Sequence, residues 1–137
     1  MSHLVDTNVL SEPTQKTPEP KVLAWLHAHA GQYYISSVTV GEIIYGIERL
    51  PLGPKRRNLE LWLQTTMTRL QGRVLTFNSR VAAEWGRLMA EAEARGHVMP
   101  VVDGQLAATA RRHRLTVVTN NVEDFKGAGV KVVNPFD

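Results

Sequence analysis

The chain of 137 residues contains no cysteine. That one absence removes disulfide scaffolds, Cys-ligated zinc, iron–sulfur clusters and thiol nucleophiles together. Aromatic residues make up only 7%, which offers no obvious platform for stacking the bases of a long single strand. Apolar runs never exceed a few residues, so no segment reads as a membrane-spanning helix. The opening MSHLVDTNVL carries an acid and an amide where a secretory signal would need a basic start and an apolar stretch. A cytoplasmic protein is the expectation. Histidines are few and scattered. His27 and His29 stand two apart on a predicted helix, do not share a face, and read as surface positions. No P-loop, dinucleotide fingerprint, Gly-x-Ser-x-Gly elbow or His-Glu-x-x-His is present. Charge of one sign is scarce too: sixteen Lys and Arg against thirteen Asp and Glu leave a net +3, too mild to prove a nucleic-acid partner.

What is present is ordinary for a soluble globular domain, with 43% hydrophobic and 21% charged residues. A chain of this length buries roughly 68% of its unfolded surface and forms one domain without staples. No repeat or linker divides residues 1–137. His3-Leu4-Val5 is a short apolar piece ending in Asp6-Thr7-Asn8. Thr17-Pro18-Glu19-Pro20 reads as a helix start, and the helix should run to about Ala30 with Val22, Leu23 and Leu26 inward. Tyr33–Ser36 reads as a strand. Val40, Ile43, Ile44 and Ile47 make an amphipathic helical stripe, which Pro51-Leu52-Gly53-Pro54 breaks. A helix over about Lys55–Leu70 follows, then a strand at Val74–Phe77. Asn78-Ser79 caps a helix carrying Val81, Trp85, Leu88, Met89 and Ala92, with Gly96 at its C′ position. A further helix spans roughly Gly104 to His113, and strands are expected at Thr116–Thr119 and Val130–Val133. Strands alternating with helices predict an α/β chain: three layers, α/β/α, with a mostly parallel central sheet.

In such sheets ligands gather beyond the carboxyl ends of the strands, and acids stand at several of these places. Asp6 closes the first strand, and Asn120, Asn121, Glu123 and Asp124 follow the strand ending at Thr119. Glu42 and Asp103 begin helices beside the sheet. A parallel arrangement lets all four segments converge on one edge. Carboxylates without His or Cys form a hard-oxygen site suited to Mg²⁺ or Mn²⁺ rather than zinc or copper. Without a cation, their repulsion raises at least one pKa. Each acid also has a purely local use. Asp6 can make an Asx-turn, Glu42 a capping box with Thr39, Asp103 an N-cap, and Asp124 a solvated turn. Their convergence would distinguish a site from four unrelated caps.

The residues also carry a family resemblance. Val5-Asp6-Thr7-Asn8-Val9-Leu10-Ser11-Glu12 resembles the opening of PIN-domain ribonucleases, in particular VapC-type toxins of type II toxin–antitoxin systems and their FitB-like relatives. Thr39-Val40-Gly41-Glu42-Ile43 with Gly46 resembles the second motif of that family. Met99–Ala110 resembles the third, Val118–Phe125 the fourth, and Val133-Asn134-Pro135-Phe136 the usual ending. The match runs in order through the whole chain. It implies a PIN-like fold and a metal site of Asp6, Glu42 and Asp103, with Asp6 and Asp103 binding Mg²⁺ directly. Some relatives have an acid where this chain has Asn121. Asp124, three residues on, is therefore expected to supply the charge and Asn121 a hydrogen bond. Thr119 resembles a hydroxyl that orients a carboxylate or water.

The implied activity is metal-assisted hydrolysis of RNA phosphodiester bonds, with Glu42 or Asp124 orienting the attacking water. Lys55-Arg56-Arg57, in the first turn of a predicted helix, opposes the helix dipole and so invites a phosphate. Arg111, Arg112 and Arg114 sit where the dipole welcomes them. By the same resemblance a small VapB-type antitoxin covers the acidic site, and the toxin pairs as a homodimer. Trp25, Ile44, Tyr45, Leu50, Trp62 and Leu63 would supply an apolar face for that pairing, or simply core. Two other acidic α/β classes fit less well. Dehalogenase-type phosphotransferases need an acid where Asn8 stands, and receiver domains need one after Phe77, where Asn78-Ser79 follows. The competing reading is a non-catalytic PIN-like module that only docks a partner protein or nucleic acid.

Overall fold

The computed structural model describes residues 2–137. Five strands form the central sheet: β1 (His3–Val5), β2 (Tyr33–Ser36), β3 (Val74–Leu75), β4 (Thr116–Val118) and β5 (Val132–Val133). Six α-helices accompany them among the described residues: α1 (Thr7–Leu10), α2 (Pro20–Ala28), α3 (Ser37–Glu48), α4 (Pro54–Arg69), α5 (Ser79–Ala94) and α6 (Val101–His113). Short 3₁₀ turns cover Glu12–Thr14 and Val122–Phe125. Every strand pair is parallel and the order is β3-β2-β1-β4-β5. The chain therefore builds outward from β1 in one direction, then crosses to lay β4 on its other side. The switch point lies between β1 and β4. None of the described helices is long and apolar enough to cross a membrane.

Strand alternation sends successive side chains to opposite faces, and the core divides accordingly. Leu4 and Val117 pack with Leu88, Leu106 and Phe125 under α5 and α6. Val5 and Val118 pack with Val9, Val22, Ile35 and Ile43 under α1–α4. The three-layer α/β/α arrangement follows from this two-sided burial. α5 and α6 approach closely because residue 104 is glycine: a Cβ there would stand 2.5 Å from Met89 Sδ and 3.2 Å from Trp85 Nε1.

Several local expectations are corrected. The four-residue helix α1 was not anticipated, because Thr7-Asn8-Val9-Leu10 is too short to show a period. The β3 and β5 strands are two residues each, shorter than their apolar runs. Leu23 and Ile44 are exposed rather than inward. Trp25 is half-buried, stacking on His29 at 4.0 Å and meeting His3 edge-on at 5.1 Å. His29 is accordingly no simple surface residue, and its Nδ1 bonds the Trp25 carbonyl oxygen at 2.8 Å. Asn78 caps α5 as expected, its Oδ1 accepting from Val81 N–H at 3.0 Å.

Candidate active site

The geometry starts at Asp6, which is 5% exposed. Its extended backbone continues β1, and its N–H donates to Val118 O across the switch point at 2.9 Å. Oδ1 accepts from Thr7 N–H at 2.7 Å. Oδ2 accepts from the Thr119 hydroxyl at 2.7 Å and from Asn8 Nδ2 at 3.1 Å. Thr119 Oγ1 in turn accepts from Asn121 N–H at 3.0 Å. Asn8 Oδ1 accepts from Asn120 N–H at 3.0 Å. The ends of β1 and β4 are thus laced together around one carboxylate. Locally Asp6 caps α1 through the N–H of the next residue instead of making the expected Asx-turn, which needs the N–H two residues on, and this role coexists with the long-range one. Burial pushes the Asp6 carboxyl above the usual range, opposed by its bonds from Thr119, Thr7 and Asn8.

Glu42 and Asp103 occupy positions different from those expected. Glu42 is the sixth residue of α3, not its first. Ser36 is the cap, its Oγ accepting from Val38 N–H at 3.0 Å. Thr39 is fully buried inside the helix and its Oγ1 has no partner. The capping-box reading of Thr39 and Glu42 therefore fails. Instead Glu42 Oε1 accepts from the Thr7 hydroxyl at 2.7 Å, a contact across 35 residues that draws it toward Asp6. Asp103 is likewise not an N-cap: Pro100 holds that place and Asp103 stands in the first turn of α6. There the dipole favours its negative form, yet its surroundings do the opposite. Burial, then the neighbouring charge of Asp6, then Asp124 and Glu42, push the Asp103 carboxyl up to about 7.

Asp124 reaches the cluster from the 3₁₀ turn after β4, pinned by Phe125, which is 1% exposed in the core. Asp124 stands close enough to Asp103 to add to the rise of its carboxyl. Asn121 contributes its backbone N–H to Thr119, while its side chain makes no cap bond in the turn. Asp6, Glu42, Asp103 and Asp124 thus come from four separated segments and influence one another electrostatically. Among the described residues no lysine, arginine or histidine pairs with any of them. Nor do three of these side chains close tightly enough to hold an ion by themselves. Sequence reasoning overlooked the roles of Thr7 and Asn8, whose only signal was three consecutive polar residues at a strand end.

A model of the PIN domain matches residues 3–130. The chain is 38% identical over 135 residues to Toxin FitB of Neisseria gonorrhoeae, covering 97% of each. The chain belongs to the PIN-domain family, among its VapC-type toxins. It is also 35% identical over 136 residues to VapC ribonuclease Y4jK of Sinorhizobium fredii, covering 98% of this chain and 97% of that protein. The solved structure of FitAcB from Neisseria gonorrhoeae superposes with a TM-score of 0.92 at 37% identity, covering 99% of both chains. In PIN-domain terms, the motifs quoted from the sequence are the segments that deliver Asp6, Glu42, Asp103 and Asp124 to the switch point.

The basic triplet at the start of α4 divides. Arg56 is tied down: it bonds Glu48 at 2.7 Å, the Leu50 carbonyl oxygen at 3.2 Å and Glu60 at 3.5 Å. Its task is to join α3 to α4, which corrects its expected availability to a phosphate. Arg57 is exposed. Lys55 lines a groove of about 850 Å³ with Gln15, Lys16, Gly46, Leu50 and Asn58. Gly46 lies four residues beyond Glu42, about 6 Å further along α3. Lys16, unremarkable in the sequence, shares this groove with Lys55. Arg111 is also committed, bonding Glu84 at 3.1 Å and thereby joining α6 to α5.

Proposed function

We propose that the chain is a cytoplasmic, Mg²⁺-dependent endoribonuclease, the toxin of a VapBC-type pair, with Asp6, Glu42, Asp103 and Asp124 as its reaction centre. One observation carries this reading: four mutually repelling carboxylates gather at the switch point, and among the described residues none is paired with a cation. Burying such a cluster is costly unless positive charge arrives from outside. The donors are all oxygen, which fits Mg²⁺ or Mn²⁺. Asp6 and Asp103 would hold the ion directly, and waters would complete its shell, since Mg²⁺ keeps several. When bound, the ion supplies acidification of water and offsets charge on the phosphate.

The chain's own residues do the rest. Thr119 and Asn8 fix the orientation of Asp6, and Thr7 fixes Glu42. Glu42 or Asp124 orients the attacking water. Asp103, raised by burial and by its acidic neighbours, keeps the cluster poised for a positive charge. Lys16 and Lys55 guide the neighbouring RNA phosphates along the groove beside Glu42. Relatives support the RNA substrate: one protein of Shigella flexneri, 30% identical over 129 residues, is named a tRNA(fMet)-specific endonuclease VapC. The FitAB complex bound to an IR36 DNA fragment, 35% identical with a TM-score of 0.93, supports control by a cognate antitoxin. Exposed Ile44 and Tyr45, 45% and 66% accessible, offer an apolar face to a second copy or to that antitoxin.

The test is cleavage of total RNA by the purified chain with end mapping, beside Asp6→Asn and Asp103→Asn. Both variants should be inert with unchanged circular dichroism. Undiminished cleavage by both overturns the assignment. Saturable Mg²⁺ binding by calorimetry separates the nuclease from an inert docking module.

A further inference from the structure

A second cluster of charge lies at the opposite edge of the sheet, where α4 ends and β2 begins. A cavity of about 190 Å³ there is lined by Ala30, Gly31, Tyr33, Arg69, Leu70 and Arg73, space for about six waters. Arg69 and Arg73 stand four residues apart, and among the described residues neither forms an ion pair with an acid. Part of Arg73 has a structural use: its Nη2 donates to the Arg69 carbonyl oxygen at 2.8 Å, satisfying a backbone group at the end of α4. That leaves the Nε–H, which is buried and has no partner. Buried donors of this kind are rare in folded proteins and call for an explanation. The third group is Tyr33, 4% exposed, which lines the same cavity as Arg69 and Arg73. Its phenol hydroxyl can donate as well as accept, which guanidinium cannot do.

The pocket thus presents two positive groups and hydrogen-bond donors from several directions, with no carboxylate to receive them. We propose that Arg69, Arg73 and Tyr33 form a binding site for a phosphate group. Guanidinium forks match phosphate oxygens in spacing and charge. A tetrahedral ligand also answers donors that approach from different sides, as a flat carboxylate would not. The site stands apart from the carboxylate cluster, separated from it by the length of β2, about 13 Å at a strand's rise per residue. Its occupant is a backbone phosphate of a folded RNA that reaches both edges of the sheet, or a free phosphate.

The experiment follows the arginine Nε–H resonances of the full chain by NMR while inorganic phosphate is added. The Arg73 Nε–H signal should move saturably. Arg69→Gln and Arg73→Lys should each weaken that binding about tenfold or more, and Tyr33→Phe should weaken it less. A non-saturating response, or variants that titrate like the parent, overturns the proposal. A second arm distinguishes the sources and does not depend on catalysis. RNA binding by Asp6→Asn is measured against salt, with and without Arg69→Gln. A slope shallower by about 0.7 assigns the site to an RNA phosphate. An unchanged slope, or no RNA binding, together with saturable phosphate binding assigns it to the free anion.

Discussion

Replacing Asp103 by Asn should stabilise the metal-free protein while abolishing its RNA cleavage. The Asp103 carboxyl rises from 3.8 to about 7 on folding. Between those pH values the folded chain holds a proton that the unfolded chain has lost. Stability therefore falls as pH rises from about 4 to about 7, and levels off above. At 1.36 kcal/mol per pH unit the gap corresponds to about 4 kcal/mol in a dry site. Asp103 is only partly buried, so water screens the repulsion and about 1–2 kcal/mol is expected. Asn cannot ionise and escapes this loss. Urea denaturation in EDTA at pH 4.5 and pH 8 measures it. Relative to the parent, Asp103→Asn should gain about 1–2 kcal/mol between the two pH values, a midpoint shift of about 0.5–1 M. Adding Mg²⁺ at pH 8 should stabilise the parent by about 2.7 kcal/mol at a hundredfold excess over its Kd. The variant should respond far less. If the variant shows the same pH dependence as the parent, the repulsion argued here is absent.

Other perturbations separate the site's parts. Thr119→Val removes one bond to Asp6 Oδ2 and should weaken Mg²⁺ affinity about 10–100-fold, measured by calorimetry. Lys55→Glu should weaken RNA binding and flatten its salt dependence, whereas Arg56→Ala should cost about 1–2 kcal/mol of stability by thermal or urea denaturation, through its lost bonds to Glu48 and Leu50. Phe125→Ala should cost about 3–5 kcal/mol and lower cleavage further by releasing the turn that carries Asp124, read from denaturation and turnover together. Gly104→Ala should destabilise by about 1–3 kcal/mol as α5 and α6 are forced apart around Met89 and Trp85, measured the same way.

The parallel sheet and its helices were legible because alternation and caps are local: Asn78, Gly96 and the apolar strands announce themselves. Asp6 was legible as an acid at a strand end, and the family motifs tied it to Glu42 and Asp103, whose places inside their helices the sequence misplaced. Their partners were not. Thr39 stands three residues before Glu42, as a capping box requires, yet Ser36 takes the cap, and the contact that matters for Glu42 comes from Thr7. Arg56 looked like a phosphate ligand because its neighbours along the chain leave it unexplained. Glu48, on the preceding helix, explains it. Ile44 fits the helical stripe but lies outside the arc that α3 buries. Periodicity says that a face exists, and only packing says how wide it is.

The bond from Thr119 to Asp6 spans 113 residues, and it sits at the switch point between β1 and β4. Nothing in the first hundred residues can assemble the cluster, because α6, β4 and the turn bearing Asp124 all come after them in the chain. During synthesis at about 5–20 residues per second, the four carboxylates cannot meet until residue 124 has emerged, several seconds after Asp6. Premature termination anywhere before β4 yields fragments without a site.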